Sequence, residues 1–204
     1  NAEIIVNMVG SVEKKLILDL GTGTGRYSKF LFGLGAIPIG VDLSANMLKV
    51  ARQRGIECIR AEIGHLPFRS CAFDAVICIK TIGFLPDIKK AFIEVNRVLK
   101  RQRFLVFDFF NAESIKSHIA EKLGLLIENK LKYVLRWTSL SNVLLSCGFK
   151  ITRTVGTTWL LSFFWESKNR YLAILVKNTE KLIDKIAPPT WADLMFICSE
   201  KSKS

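Results

Sequence analysis

The sequence contains no apolar run approaching the roughly 18 residues that cross a bilayer as a helix. Its longest candidate, Thr157 to Trp165, runs straight into Glu166, Lys168 and Arg170. No membrane span is therefore expected. The first residues lack the basic-then-apolar layout of a signal peptide, and the chain opens on Asn1 rather than Met, as a trimmed chain would. Cysteine is sparse, odd in number and never spaced C-x-x-C. Cys58, Cys71, Cys78, Cys147 and Cys198 stand apart, most of them within apolar runs. That pattern argues against a disulfide framework or a zinc site and for buried free thiols in a reducing, cytoplasmic setting. Acidic residues are also short, 18 against 30 Lys plus Arg, for a net charge of +12. Such an excess fits either solubility or a polyanionic partner. The basic residues are scattered (Lys14-Lys15, Lys89-Lys90, Lys100-Arg101-Arg103, Lys201, Lys203) rather than run together, so nucleic acid is a possible partner and not the favoured one. Repeats, low-complexity tracts and linkers are absent.

What is present is the composition of one globular domain over residues 1–204, half of it hydrophobic and 24% of it charged. Short apolar runs alternate with helical patterns. Lys15 to Leu20 reads as a strand bounded by a glycine-rich turn. Arg26 to Gly35 reads as a helix with Tyr27, Phe30, Leu31 and Leu34 on one face. Ile37 to Asp42 is a second strand, with Pro38 near its start. Ser44 is placed to cap a helix carrying Met47, Leu48 and Ala51 and ending near Gly55. Strands are expected at 56–61, 73–79 and 104–109, with a helix at 88–99 whose stripe is Ile88, Phe92, Val95 and Leu99. Strand–helix alternation of this kind implies a parallel sheet covered on both faces. The second half is less regular. It predicts helices at 114–123, 140–147 and through most of 159–186, strands at 149–155 and 191–199, and an added strand or excursion at 127–137.

The strongest chemical signal is Leu18-Asp19-Leu20-Gly21-Thr22-Gly23-Thr24-Gly25, at a strand end and opening a helix. Glycines there let the backbone approach a ligand more closely than any Cβ would allow. In an open α/β sheet the ligand crevice lies at the C-terminal strand ends, where the strand order reverses. A dinucleotide fingerprint requires G-x-G-x-x-G, whereas the third glycine here comes one residue early. Asp19 would also repel a pyrophosphate, yet it could accept hydrogen bonds from an ammonium group. A ligand with an amino-acid head and no phosphates suits that pair of features better than a nicotinamide dinucleotide does.

Asp19-x-Gly21-x-Gly23-x-Gly25 resembles the first motif of class I S-adenosylmethionine-dependent methyltransferases. Further segments follow in the family's order. Gly40-Val41-Asp42-Leu43-Ser44 resembles its second-strand motif, whose acidic residue binds the ribose hydroxyls; Asp42 lies 21 residues after Gly21. Glu62-Ile63-Gly64-His65-Leu66-Pro67-Phe68 resembles its third, usually Asp-led, whose carboxylate and next backbone amide read the adenine edge. Ser70 to Val76 and Glu94 to Lys100 resemble the approaches to the fourth and fifth strands. Arg101-Gln102-Arg103, expected as a tight basic turn, stands where the family has Pro-Gly-Gly. The resemblance is good over residues 15–110 and extends loosely to the last strands. It is nearest to the small-molecule group that includes quinone-biosynthesis enzymes.

The resemblance implies a three-layer Rossmann-like α/β sandwich, a mostly parallel seven-stranded sheet with a reversed C-terminal hairpin. It also implies S-adenosyl-L-methionine as cofactor, S-adenosyl-L-homocysteine as product and a small or lipid-like acceptor methylated by in-line displacement. Gly21, Thr22, Gly23 and Gly25 would hold the methionine moiety, with Asp19 near its amino group and Asp42 on the ribose. Leu43 and Met47 would flank the adenine, Glu62 and Ile63 would read its edge, and Ile79 and Lys80 would line the sulfonium side. Protein groups in such a reaction supply alignment, desolvation and sometimes a base. The candidates for that base are Lys80 and Asp108, both at strand ends facing the crevice. His65 falls inside the adenine motif, and His118 on a helix face is expected at the surface. Ile79-Lys80-Thr81-Ile82 stands where enzymes methylating exocyclic amines of bases carry Asn/Asp-Pro-Pro-Tyr/Phe, which disfavours such targets. An RNA or protein methyltransferase and a non-catalytic cofactor-binding partner subunit remain the rival readings.

Residues 157–187 read as a lid or substrate insertion between the last two strands, with Trp159, Phe163, Trp165 and Tyr171, joined by Trp137, closing an apolar pocket. The alternative for the aromatic stretch is core helix. A lid predicts that Trp159→Ala and Phe163→Ala raise the acceptor's KM and leave cofactor affinity and most of the stability intact. A core helix predicts a loss of about 3–5 kcal/mol for each variant in a denaturant melt.

Overall fold

The computed structural model describes residues 2–114, 135–157 and 194–202. Strands β1 (Leu16–Leu20), β2 (Ile37–Asp42), β3 (Glu57–Arg60), β4 (Phe73–Cys78), β5 (Leu99–Phe110), β6 (Phe149–Thr157) and β7 (Leu194–Lys201) form one sheet in the order β3-β2-β1-β4-β5-β7-β6. The first five strands run parallel, and β7 lies antiparallel between β5 and β6. The expected seven-stranded sheet with a reversed C-terminal hairpin is therefore the observed one. The helices are α1 (Ala2–Val9), α2 (Arg26–Gly33), α3 (Ala45–Gln53), α4 (Ile88–Val98) and α5 (Trp137–Ser146), with a 3-10 turn at Ile82–Phe84. Among the described residues, no helix is long and apolar enough to cross a membrane.

Strand side chains alternate between two apolar layers. Leu18, Leu20, Val76, Leu105 and Phe107 pack with Phe92 and Val95 of α4 and with Leu140 and Leu144 of α5. Ile17, Ala75, Ile77, Val106 and Phe196 pack on the other face, with Leu31 of α2 and with Ile5, Met8 and Val9 of α1. Burial on both faces explains why β1, β4 and β7 read as near-continuous apolar runs. The capping residues act as the sequence implies. Ser44 Oγ accepts from the Met47 amide, and Asp87 Oδ1 accepts from that of Lys90. Gly55 and Gly148, each with φ near 78°, follow the ends of α3 and α5.

Three expectations need correction. Helix α1 was not foreseen, because its β-branched residues are poor helix formers and its burial depends on the far sheet face, although Gly10, at φ 77°, closes its C-terminal end. The α2 stripe is narrower than the spacing suggested: Leu31 is buried, whereas Phe30 and Leu34 are 39% and 43% exposed and the buried partner on the helix is Ser28. Arg101-Gln102-Arg103 is no separate turn. It lies within β5 as an irregularity, with Gln102 at φ 55° and the β4 partner shifting from Leu99 to Phe104 across only two residues of β4. Residues 115–134 and 158–193 lie outside the described residues, and with them the expected helix at 114–123 beyond its first residue, most of the 127–137 segment and the helical stretch at 159–186.

The revised α2 contacts set an order of mutational effects. Leu31→Ala is expected to cost about 2–5 kcal/mol in urea denaturation, while Phe30→Ala and Leu34→Ala should each change stability by about 0.5 kcal/mol or less.

Candidate functional site

The strand order reverses between β1 and β4, so the crevice opens where their C-terminal ends diverge. The chain leaves β1 through a loop in which Gly21, Gly23 and Gly25 have φ of 68°, 55° and 73°, a left-handed conformation that glycine adopts without steric penalty. Gly21 is also a point of close approach. A Cβ there would sit 2.1 Å from Thr81 Oγ1, beyond the end of β4.

Asp19 anchors this loop from below. Its buried carboxylate accepts hydrogen bonds from Thr22 Oγ1 at 2.8 Å and Ser28 Oγ at 2.6 Å, which joins β1, the loop and α2. Burial raises its pKa, and the two hydroxyls counteract that rise. Asp42, at the end of β2, steadies the other side. Its Oδ2 accepts from the Gly23 amide at 2.9 Å and its Oδ1 from the Ser44 amide at 2.8 Å. One backbone bond per oxygen leaves lone pairs available for a ligand.

A cavity of about 500 Å³ lies against this frame, within the usual range for small-molecule sites. Of the residues singled out in the sequence, Gly21, Asp42, Leu43, Glu62, Ile63 and Lys80 line it. Asp19, Thr22, Gly23, Gly25, Met47 and Ile79 do not. Asp19 and Thr22 are turned into the loop's own support, Ile79 is buried in the sheet core, and Met47 is 46% exposed. Glu62 pairs with His65 at 3.3 Å on the exposed rim. Trp159, Phe163, Trp165, Tyr171 and His118 lie outside the described residues.

The opposite wall, Thr81 to Ala91, was missed in the sequence apart from its first residues. Thr81, Phe84, Leu85 and Lys90 all line the cavity. The signal was its place immediately after β4, on the crevice edge. Lys80 opens this wall in a left-handed conformation, φ 56°. Its backbone amide donates to Asp108 Oδ1 near the end of β5, at 2.5 Å. Lys80, Thr81 and Phe84 also border a second cavity of about 200 Å³, which Asp108, Phe109, Phe110 and Leu135 complete. The two candidate bases are thus brought together. Among the described residues, Asp108 Oδ2 is buried without a hydrogen-bond partner. Burial pushes the Asp108 carboxyl up to about 6, against the pull of the Lys80 amide and ammonium. The buried Cys78 thiol is raised well above its usual range by burial first and then by the carboxylates of Asp108 and Asp19.

Residues 18–107 match the family model described as a Methyltransferase domain. A demethylmenaquinone methyltransferase from Renibacterium salmoninarum is 34% identical over 99 residues, 48% of this chain and 42% of that protein. A malonyl-[acyl-carrier protein] O-methyltransferase from Hamiltonella defensa is 30% identical over 114 residues, 55% of this chain and 44% of that protein. The chain spans less than half the length of the curated relatives it matches. In overall fold it is similar to an S-adenosylmethionine-dependent methyltransferase from Mesorhizobium loti, with a TM-score of 0.70 at 19% identity over 98% of both chains.

The raised Asp108 carboxyl has a thermodynamic signature. Its folded pKa of about 6 exceeds the unfolded value of about 3.9, so between these values the native state binds more protons than the unfolded one. Stability from this group should fall as pH rises from about 4 to about 6 and level off beyond. Against Asp108→Asn, which does not titrate, the wild type should lose on the order of 2–3 kcal/mol across that window. Denaturant melts of both proteins from pH 4 to pH 8 measure the difference.

Proposed function

We propose, from the premise that this chain carries a class I S-adenosylmethionine-dependent methyltransferase domain, that the protein methylates a small organic acceptor held beside the C-terminal ends of β4 and β5. The observation that carries the proposal is the meeting of two cavities at Lys80 and Thr81, one built on the glycine loop and Asp42, the other ending at Asp108. S-adenosyl-L-methionine, when bound, supplies a methyl group on a sulfonium and leaves as S-adenosyl-L-homocysteine.

The residues of the larger cavity suit that cofactor. Gly21 has no side chain to come between the loop and Thr81, so the two walls of the cavity meet there. Asp42 presents a carboxylate with lone pairs to spare for a ribose diol. Leu43 offers an apolar surface, 61% exposed, for a purine. Glu62 and the Ile63 amide are assigned to its edge. Asp19 acts at one remove in this reading, by holding the loop's shape. Thr81, Phe84 and Leu85 would shield the reacting centre from water and fix the approach of the two reactants.

The charge excess offers limited support for a nucleic-acid substrate. Lys201 is buried, with Nζ donating to the carbonyls of Asn96 and Leu99, while Lys100 pairs with Asp74 and Arg97 with Glu94. All five cysteines are free thiols, which fits the proposed cytoplasmic setting. Leu194 pairs with both Phe110 and Thr157. We place residues 157–187 as the cover of the smaller cavity, because Phe110, which lines it, pairs with the first residue of β7.

S-adenosyl-L-homocysteine should raise the melting temperature through linkage to the native state, and NADH should not. Asp42→Ala should weaken cofactor binding by about 1.5–3 kcal/mol, the loss expected for charged hydrogen bonds. Incubation with methyl-labelled cofactor and fractionated cell extract should place label in a small molecule. Label in RNA or protein would favour the macromolecular reading, and binding without transfer to any fraction would favour a partner subunit.

A further inference from the structure

The end of the sheet away from the crevice gathers charge and apolar surface of its own. The parallel strands turn their C-terminal ends to the glycine loop, so the starts of β1, β2, β4 and β5 lie together at the opposite end. Helix α2 leaves the glycine loop and also ends there, exposing Phe32 at 53% and Leu34, just beyond its last turn, at 43%. Ile37, the first residue of β2, is 52% exposed. The Lys14 amide donates to the Gly35 carbonyl and the Ile37 amide to that of Lys15, so two lysines border these apolar side chains. Across β1, the Leu16 amide donates to Asp74 Oδ2 and Lys100 Nζ to Asp74 Oδ1. The Arg103 charge acts on the same carboxylate. These contacts join the starts of β2, β1, β4 and β5 into one row, about 14 Å across at the usual strand spacing.

The charge of this row is one-sided. Lys14, Lys15, Lys29, Lys100, Arg101 and Arg103 stand against Glu13, beside Gly35, and Asp74, which Lys100 already pairs. Further along the same end, Lys150 and Glu200 are in register and offset each other. Two turns of the row are left-handed at residues other than glycine: Lys14 at φ 57°, and Gln102, between the exposed Arg101 and Arg103, at φ 55°. Glycine would hold either turn without strain, yet the strain is kept where the chain presents cations.

The mixture of cations and aliphatic side chains selects the partner. RNA would be bound by stacking its bases on exposed rings. Leu34 and Ile37 have no ring, and Lys29 Nζ covers that of Phe32, 5.2 Å from its centroid. A bilayer of anionic lipids suits both components, since apolar tips enter the boundary region while ammonium and guanidinium groups stay among the headgroups. We infer that this end of the sheet is a peripheral docking surface for an anionic membrane, seated through Phe32, Leu34 and Ile37 and held by Lys14, Lys15, Arg101 and Arg103. The crevice then faces away from the bilayer.

Co-sedimentation of the full chain with phosphatidylcholine vesicles, pure or carrying about one-third phosphatidylserine, tests the inference. The mixed vesicles should bind the wild type and the pure ones should not, and raising salt from about 0.1 M to about 0.5 M should release it. Lys14→Gly should weaken binding about fivefold, the share of one cation near such a surface, while the melting temperature holds or rises because glycine relieves the turn. Arg101→Gln/Arg103→Gln should weaken binding about 25-fold, and Phe32→Ser/Leu34→Ser by about tenfold or more. Lys49→Gln/Arg153→Gln, which removes the same charge elsewhere, should change it by less than about twofold. Absence of binding to the mixed vesicles, equal binding to both compositions, or wild-type affinity in either the arginine or the apolar double variant would overturn the inference. An equal loss in Lys49→Gln/Arg153→Gln would do the same, and so would binding of single-stranded RNA under conditions where the mixed vesicles are not bound.

Discussion

The site depends on one buried carboxylate. Asp19 ends β1 inside the sheet, where an ionised group is heavily penalised by desolvation. The hydroxyls of Thr22 and Ser28 offset that penalty and, in doing so, bind the strand, the loop and the helix that follows into one unit. The loop's left-handed glycines then aim the Gly23 amide at Asp42, which fixes the floor of the larger cavity. Without Asp19, the side-chain bonds that tie the end of β1 to Thr22 and Ser28 would be lost. Its position behind the cavity lining explains how a side chain can belong to a ligand motif and still do its work through neighbouring groups.

A second carboxylate, Asp108, has the complementary role across the crevice. Oδ1 secures the left-handed Lys80 at the mouth of the site. The other oxygen, Oδ2, is buried and has no hydrogen-bond partner among the described residues. Asp19 accepts two hydroxyls on one oxygen, Oδ2, and so ties the loop to α2; Asp108 accepts one backbone amide on Oδ1. Two buried aspartates on neighbouring ends of one sheet are thus separated in role by how many donors surround them.

The Gly21–Thr81 approach couples these halves. Thr81 lines both cavities and lies so close to Gly21 that any side chain there would have to displace it. The loop after β1 and the Thr81 side chain after β4 are therefore fitted to each other across the switch point. The basic residues contribute much less to this architecture, and several are occupied by internal carbonyls or carboxylates.

Much of this was legible in the chain. Parallel-strand apolar runs located β1, β2 and β4 closely and the second half of β5, because strands buried on both faces tolerate few polar residues. The glycine spacing and the acidic residues after it located one wall of the larger cavity, because left-handed turns and carboxylate placement are local properties. Local pattern failed where the answer depended on distant contacts. Helix α1 is defined by a sheet face assembled from β5 and β7, and the true burial of α2 by which of its residues that sheet can reach. Thr81 through Lys90 form the opposite wall only because β4 lies beside β1. What each of Asp19 and Asp108 would bind was likewise undecidable from sequence, since both are acidic residues near strand ends. Tertiary structure decided it by surrounding one with two hydroxyls and giving the other a single backbone amide.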